Sequence, residues 1–377
     1  MIARPKLLQR IQEALVRSPV VTLLGPRQCG KTTVARMVEE RSERFDLENP
    51  IDLARLENPL LALSRLEGLV VIDEVQKRPS LLEVVRVLVD RPENRARFLL
   101  LGSASLDIIK GVSESLAGRT AFVDMGGFDL SETGSNGKDD LWFRGSFPRS
   151  YLADSDTESF AWREDFIRTY LERDIPQLGI SIPAQTLRRF WTMLAHYHGN
   201  VWNGAEFARS IGASEATARR YLDILSGAFL VRQLRPWFEN LSKRQVKAPK
   251  VYVRDSGLLH SLLFIEDREV LFGHPKYGAS WEGFAAEQVL ALANPRSAYF
   301  WSTYSGAELD LLVFRQGSRL GFEMKCTDAP RLSRSLTIAS TDLRLERLYV
   351  VYPGSKRYPL SEKIEALPLE EVPAVLG

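Results

Sequence analysis

Short, unbroken apolar runs punctuate the first third of the chain. Val20-Val21-Thr22-Leu23-Leu24, Leu69-Val70-Val71-Ile72 and Phe98-Leu99-Leu100-Leu101 are rich in branched side chains and too short for helices. Runs without polar alternation read as strands covered on both faces, which suits a parallel sheet. The segment 33–39 after the first run reads as a helix, giving a strand, a glycine-bearing loop and a helix in succession. Residues 131–140 are polar, glycine-bearing and without period, which predicts a linker. Helical sequence resumes over about 157–172. Segments 206–212 and 213–222 read as helix–turn–helix, in which Gly212 permits the turn, Ser214 caps the second helix, and Ile211, Ala218 and Leu222 form the shared core. Two strands, at 229–234 and 250–253, joined by a basic loop, complete the plan of a winged helix. Near the end, Leu309-Asp310-Leu311-Leu312-Val313 and Gly321-Phe322-Glu323-Met324-Lys325 read as a hairpin, followed by a buried strand at 348–352.

Length changes this picture only by dividing it. A chain of 377 residues exceeds one ordinary core, so two or three domains are expected. The pattern places them at 1–135, 141–270 and 275–377, all of α/β or helical character. The formal net charge of +2 announces no nucleic-acid partner, so any such reading rests on local clusters. The two cysteines, Cys29 and Cys326, form neither a disulfide framework nor a zinc spacing. No apolar stretch approaches a membrane span and the first residues lack a signal-peptide core, so a cytoplasmic protein without membrane partners is expected.

Candidate chemistry begins at Gly25-Pro26-Arg27-Gln28-Cys29-Gly30-Lys31-Thr32, which satisfies the phosphate-loop pattern with a strand before it and a helix after it. The loop from Gly25 to Gly30 would turn its amide groups around a triphosphate, and the helix start at Lys31, Thr32 and Thr33 adds partial positive charge. Lys31 would reach the β- and γ-phosphates and Thr32 would take a place on Mg²⁺, making ATP and Mg²⁺ the expected ligands. Asp73 and Glu74 close the second apolar run. In doubly wound sheets such a strand end lies beside the phosphate loop, where Asp73 would hold Mg²⁺ and Glu74 would deprotonate the attacking water. A helix cap followed by a solvated glutamate is the plainer alternative. Ser103, at the end of the third run, is placed either to sense the γ-phosphate or to cap the segment that follows.

The Gly-Pro-Arg-Gln start of the loop, Asp73-Glu74-Val75-Gln76, Leu101-Gly102-Ser103-Ala104-Ser105 and Leu116-Ala117-Gly118-Arg119 together resemble a prokaryotic group of AAA+ ATPases with a C-terminal half labelled a domain of unknown function. The resemblance continues through Trp142-Phe143-Arg144-Gly145-Ser146-Phe147-Pro148 and Tyr170-Leu171-Glu172-Arg173-Asp174-Ile175. It implies a P-loop AAA+ parallel sheet domain and ATP hydrolysis. It also implies a finger role for Arg119 on a neighbouring subunit's nucleotide, hence a homo-oligomer, a hexameric ring among the forms open to it. The chain departs from the group at Gly126-Gly127-Phe128, where relatives carry a proline-containing turn.

Two further clusters bear on partners. Arg219 and Arg220 on the second helix of the winged helix, with Lys243, Arg244 and Lys247 in its basic loop, would give groove and phosphate contacts to DNA. Docking of a protein is the alternative use of the same module. At the C-terminus, Asp310 followed by Glu323-Met324-Lys325 resembles the PD-(D/E)XK nuclease core. Period two places Glu323 and Lys325 on one strand face, toward Asp310. That resemblance implies Mg²⁺ on Asp310 and Glu323, Lys325 positioning a water, and a third carboxylate from Glu282 or Glu287, with Glu282 favoured by its Trp-Glu-Gly context. The function expected is ATP turnover coupled to DNA binding or remodelling, branched DNA included. The alternative is a nucleotide-gated regulatory or signalling module whose C-terminal half docks proteins.

Overall fold

A computed structural model describes residues 2–103, 106–177, 182–238, 246–295 and 297–376. The chain divides into two compact units, residues 1–127 with 227–229, and residues 128–226 with 230–377.

Five parallel strands form the first unit: β1 (Val20–Gly25), β2 (Glu43–Asp46), β3 (Gly68–Asp73), β4 (Ala96–Ser103) and β5 (Thr120–Asp124), in the order β2-β3-β4-β1-β5. Every residue of β1 is buried, as an unbroken apolar run requires. Val70, Ile72, Phe98 and Leu100 cluster with Leu81, Leu82, Val85 and Leu88 of the helix Leu81–Val89, and burial of each such side chain contributes roughly 2 kcal/mol. β4 stands between β1 and β3, so the strand that ends at Ser103 is the neighbour of the phosphate-loop strand and the carboxylate strand comes next.

In the second unit, helices lead into a mixed sheet of nine strands. These are β6 (Asn200–Val201), β7 (Val231–Pro236), β8 (Lys250–Val253), β9 (Ala298–Ser302), β10 (Glu308–Arg315), β11 (Ser318–Met324), β12 (Arg347–Tyr352), β13 (Tyr358–Pro359) and β14 (Ile364–Pro368), ordered β13-β14-β12-β11-β10-β9-β7-β8-β6. The helices Gly204–Ile211 and Glu215–Gly227 join at Gly212, whose φ of 68° is the left-handed value the turn needs. Ser214 caps the second helix through Thr217 N–H. Ala218 and Leu222 are fully buried, whereas Ile211 is only half-buried and no full member of that core. The two strands that follow do not form an isolated hairpin: β7 pairs with β8 and, in parallel, with β9. The middle and C-terminal segments therefore share one sheet and one compact unit.

The expected linker is helical. Asp129 caps the short helix Leu130–Thr133 in a reciprocal box with Glu132, and helix Lys138–Arg144 follows a 3₁₀ turn at Ser135–Gly137. Local side-chain caps outweigh the glycine content there. Gly145 and Ser146 meet Asp255, which accepts hydrogen bonds from Ser146 N and Oγ at 2.6 and 2.7 Å. Among the described residues no helix is long and apolar enough to cross a membrane.

Candidate nucleotide site and acidic cluster

The phosphate loop leaves β1 at Gly25, where a β-carbon would sit 2.3 Å from Met125 O, so only glycine fits. Gln28 and Gly30 take φ values of 62° and 97°, turning successive amides inward before the helix Lys31–Val38. Cys29 is buried beneath the loop, its thiol 3.0 Å from the place a Gly25 β-carbon would take. Pro26 is buried, Gln28 and Thr33 are exposed, and Arg27 pairs with Glu48 at 3.3 Å. Lys31 is 6% exposed, and its ammonium donates to Gly25 O at 3.1 Å and Pro26 O at 2.9 Å.

From the start of the helix Lys31–Val38, Thr32 Oγ1 donates to Asp73 Oδ2 at the end of β3, at 2.6 Å. Glu74 N–H donates to the other Asp73 oxygen at 2.9 Å, and Glu74 itself sits at φ 55°, a left-handed position uncommon for a side-chain-bearing residue. Its carboxylate accepts from Gln76 Nε2. Burial raises the pKa of both Asp73 and Glu74, against Thr32 and the Glu74 amide at Asp73 and against Lys31 at Glu74. Ser103, opposite Gly25 in the β1–β4 register, has a buried hydroxyl with no partner. An orphaned buried hydroxyl, a cradle that admits no β-carbon, and a hydroxyl–carboxylate pair beside a lysine fit a Mg²⁺-bound triphosphate. Arg119 lies at the other end of the sheet, where its backbone carbonyl accepts from Val20 N. Its guanidinium grips Asp90 at 2.6 and 2.8 Å, so it stands away from the phosphate loop of the same chain.

On the helix Glu215–Gly227, Arg219 and Arg220 are exposed, and Arg219 pairs with Asp223 at 3.2 Å. Lys247 is exposed, while Lys243 and Arg244 lie outside the described residues.

The antiparallel β10–β11 register pairs Leu311 with Phe322, so Asp310 and Glu323 face each other one step further on. Met324 N donates to Asp310 Oδ2 at 3.0 Å and Lys325 Nζ lies 2.7 Å from Glu323 Oε1. Glu282 joins them from the helix Tyr277–Ala293, accepting from Tyr252 OH at 2.7 Å. Glu287, on the same helix, instead meets Arg232 and Arg254. Burial pushes Glu282 up to about 7 and Glu323 up to about 8, in each case reinforced by Asp310. Sequence reasoning missed Lys250, whose buried ammonium lies 3.0 Å from Asp310 Oδ1 and 3.6 Å from Glu282 Oε1. Burial alone would lower its pKa; Asp310, Tyr252 and Glu282 outweigh that and hold it well above the usual value. The signal lay in the strand's alternation, which puts Lys250 and Tyr252 on one face. Among the described residues no three acidic, histidine or cysteine side chains are arranged to hold a metal. The expected Mg²⁺ ligands Glu282, Asp310 and Glu323 thus have a buried ammonium already standing among them.

The chain matches an AAA domain over residues 17–134 and two domains of unknown function, DUF8612 over 137–269 and DUF4143 over 277–372. Uncharacterized protein Rv2008c of Mycobacterium tuberculosis and Uncharacterized protein Mb2031c of Mycobacterium bovis are each 53% identical to it over 374 residues, covering 99% of this chain and 85% of theirs. A solved structure, the Walker-type ATPase paby2304 of Pyrococcus abyssi, superposes with a TM-score of 0.50 at 14% identity, over 70% of this chain and 96% of that one. That likeness is one of fold.

Proposed function

We propose a function for a chain that belongs to the family of these mycobacterial proteins and carries an AAA-family P-loop ATPase domain ahead of two domains of unknown function: it hydrolyses ATP and couples turnover to DNA binding by its second unit. The observation that carries the first half is the bond from Thr32 to Asp73 beneath the loop, beside the unpartnered hydroxyl of Ser103. Lys31 would exchange its bonds to the loop carbonyls for the β- and γ-phosphate oxygens, and Thr32 and Asp73 would hold Mg²⁺. The ion would neutralise charge building on the phosphates. Glu74, held by its left-handed backbone and made more basic by burial, would orient the attacking water and accept its proton. Ser103 would donate its free hydroxyl to the γ-phosphate. A finger role for Arg119 requires a neighbouring copy, and with it a homo-oligomer.

The second half rests on the winged helix, whose exposed Arg219, Arg220 and Lys247 offer cationic contacts to a phosphate backbone. Cutting is not part of the reading, because the nuclease-like carboxylates are already occupied by Lys250. That occupancy also favours the second reading, a nucleotide-gated module whose C-terminal half docks a protein. ATP hydrolysis measured with and without duplex and branched DNA separates them. DNA-stimulated turnover, lost in Arg219→Ala/Arg220→Ala, supports the first. Turnover indifferent to DNA, with no salt-sensitive DNA binding, supports the second.

A further inference from the structure

The acidic cluster of the second unit is closed around a cation of its own. Lys250 is the first residue of β8, a strand of the winged helix, whereas Asp310 and Glu323 belong to the β10–β11 hairpin and Glu282 to the helix Tyr277–Ala293. Lys250 is 6% exposed, and its ammonium stands 5.7 Å over the Phe300 ring. Around it both oxygens of Asp310 and of Glu323, and one of Glu282, are taken. Asp310 gives one oxygen to Lys250 at 3.0 Å and the other to Met324 N–H at 3.0 Å. Glu323 gives one to Lys325 at 2.7 Å and the other to Asp310 N–H at 3.4 Å. Glu282 accepts from Tyr252 and faces Lys250. Three carboxylates thus meet two ammonium groups, one of them buried and fixed by the strand that carries it.

We propose that Lys250 is the resident cation of this cluster: it fills the position a divalent ion would need, so the nuclease-like fold of this chain takes no metal and serves as a closed scaffold. A Mg²⁺ or Mn²⁺ ion needs several carboxylate or water oxygens at close to 2 Å, and Lys250 claims the inner oxygens of Asp310 and Glu282. A second cation brought within a few ångströms of a buried ammonium is repelled strongly in so dry a site. The same arrangement ties the winged-helix strands to the hairpin, because β8 supplies the charge that β10 and the helix require. A lysine deleted here leaves buried carboxylates uncompensated. The proposal does not depend on the ATPase reading.

Mn²⁺ binding to the full chain without nucleotide, followed by electron paramagnetic resonance, tests it. Wild type and Asp310→Asn are expected to bind Mn²⁺ identically, since neither presents an open cluster. Lys250→Met is expected to gain a site at least about tenfold tighter than any in wild type, as removal of the buried ammonium frees the carboxylates. Lys250→Met/Asp310→Asn loses it again, and Lys250→Arg, which keeps a cation, does not gain it. A Mn²⁺ site in wild type that Asp310→Asn abolishes overturns the proposal, and that arm decides even if Lys250→Met fails to fold. A folded Lys250→Met without a new site overturns it equally.

Discussion

Glu287→Gln isolates one buried carboxylate held by two arginines and predicts its worth. Glu287 is held by Arg232, with one contact at 2.8 Å, and by Arg254 at 3.2 Å, with all three side chains largely covered. Burial would raise its pKa, but the two guanidinium groups outweigh that and bring it from the usual 4.5 to about 2. At about 1.4 kcal/mol per tenfold, the difference corresponds to roughly 3 kcal/mol favouring the ionised folded form. Glutamine keeps the shape and loses the charge, taking a carboxylate from two half-buried guanidinium groups, which is expected to cost a similar amount. The seven tryptophans all lie between residues 142 and 301, in the second unit. Tryptophan fluorescence during urea unfolding therefore reads that unit alone. Since the folded pKa is depressed, the contribution is present above pH 4.5 and lost as pH falls through 2, so the wild-type advantage at pH 7 shrinks by about half at pH 3. A deficit below about 1 kcal/mol at pH 7, or one constant from pH 7 to pH 3, refutes the reasoning.

Other outcomes follow from single positions. In Gly257→Ala the new β-carbon would lie 2.1 Å from Arg144 O and 2.8 Å from Gly145 N, both backbone atoms that cannot step aside; urea unfolding is expected to show a loss of about 2 kcal/mol or more. Gly278→Ala, in an exposed helical position with nothing within 4 Å, is expected to be neutral or to stabilise by about 0.5–1 kcal/mol. Glu323 has a folded pKa raised from 4.5 to about 8 by burial, so its protonated form stabilises the fold below 4.5 and that stability is lost as pH rises to 8. His198 and His260, which burial holds at about 3, titrate only in the unfolded chain below about 6.5. Stability of the second unit is therefore expected to fall between pH 6.5 and 8, and Glu323→Gln to flatten that decline; a flat wild-type profile contradicts it.

Much of the first unit was legible because its signals are local. The phosphate loop is one contiguous motif, and buried strands announce themselves as apolar runs. What could not be read was which strand neighbours which: β4 lies between β1 and β3, a matter of long-range packing. The same holds for the join of β7 to β9, partners more than sixty residues apart. Residues 131–140 misled because glycine and polarity suggest a linker, while the capping by Asp129 makes the segment helical. Lys250 was hidden for a subtler reason. A lysine at a strand start is usually a solvated residue, and only the carboxylates brought from two other elements explain why this one is buried.

The claim on which the rest depends is that the Lys31–Thr32–Asp73–Glu74 constellation binds and turns over a Mg²⁺-bound nucleotide. Steady-state hydrolysis of ATP by wild type and Lys31→Ala, with a non-hydrolysable analogue titrated by calorimetry into each, tests it most directly. Saturable turnover and a one-to-one binding isotherm in wild type, with hydrolysis lowered at least about a hundredfold in Lys31→Ala, is the predicted result. Equal hydrolysis by the two proteins, or a flat isotherm in wild type, contradicts it.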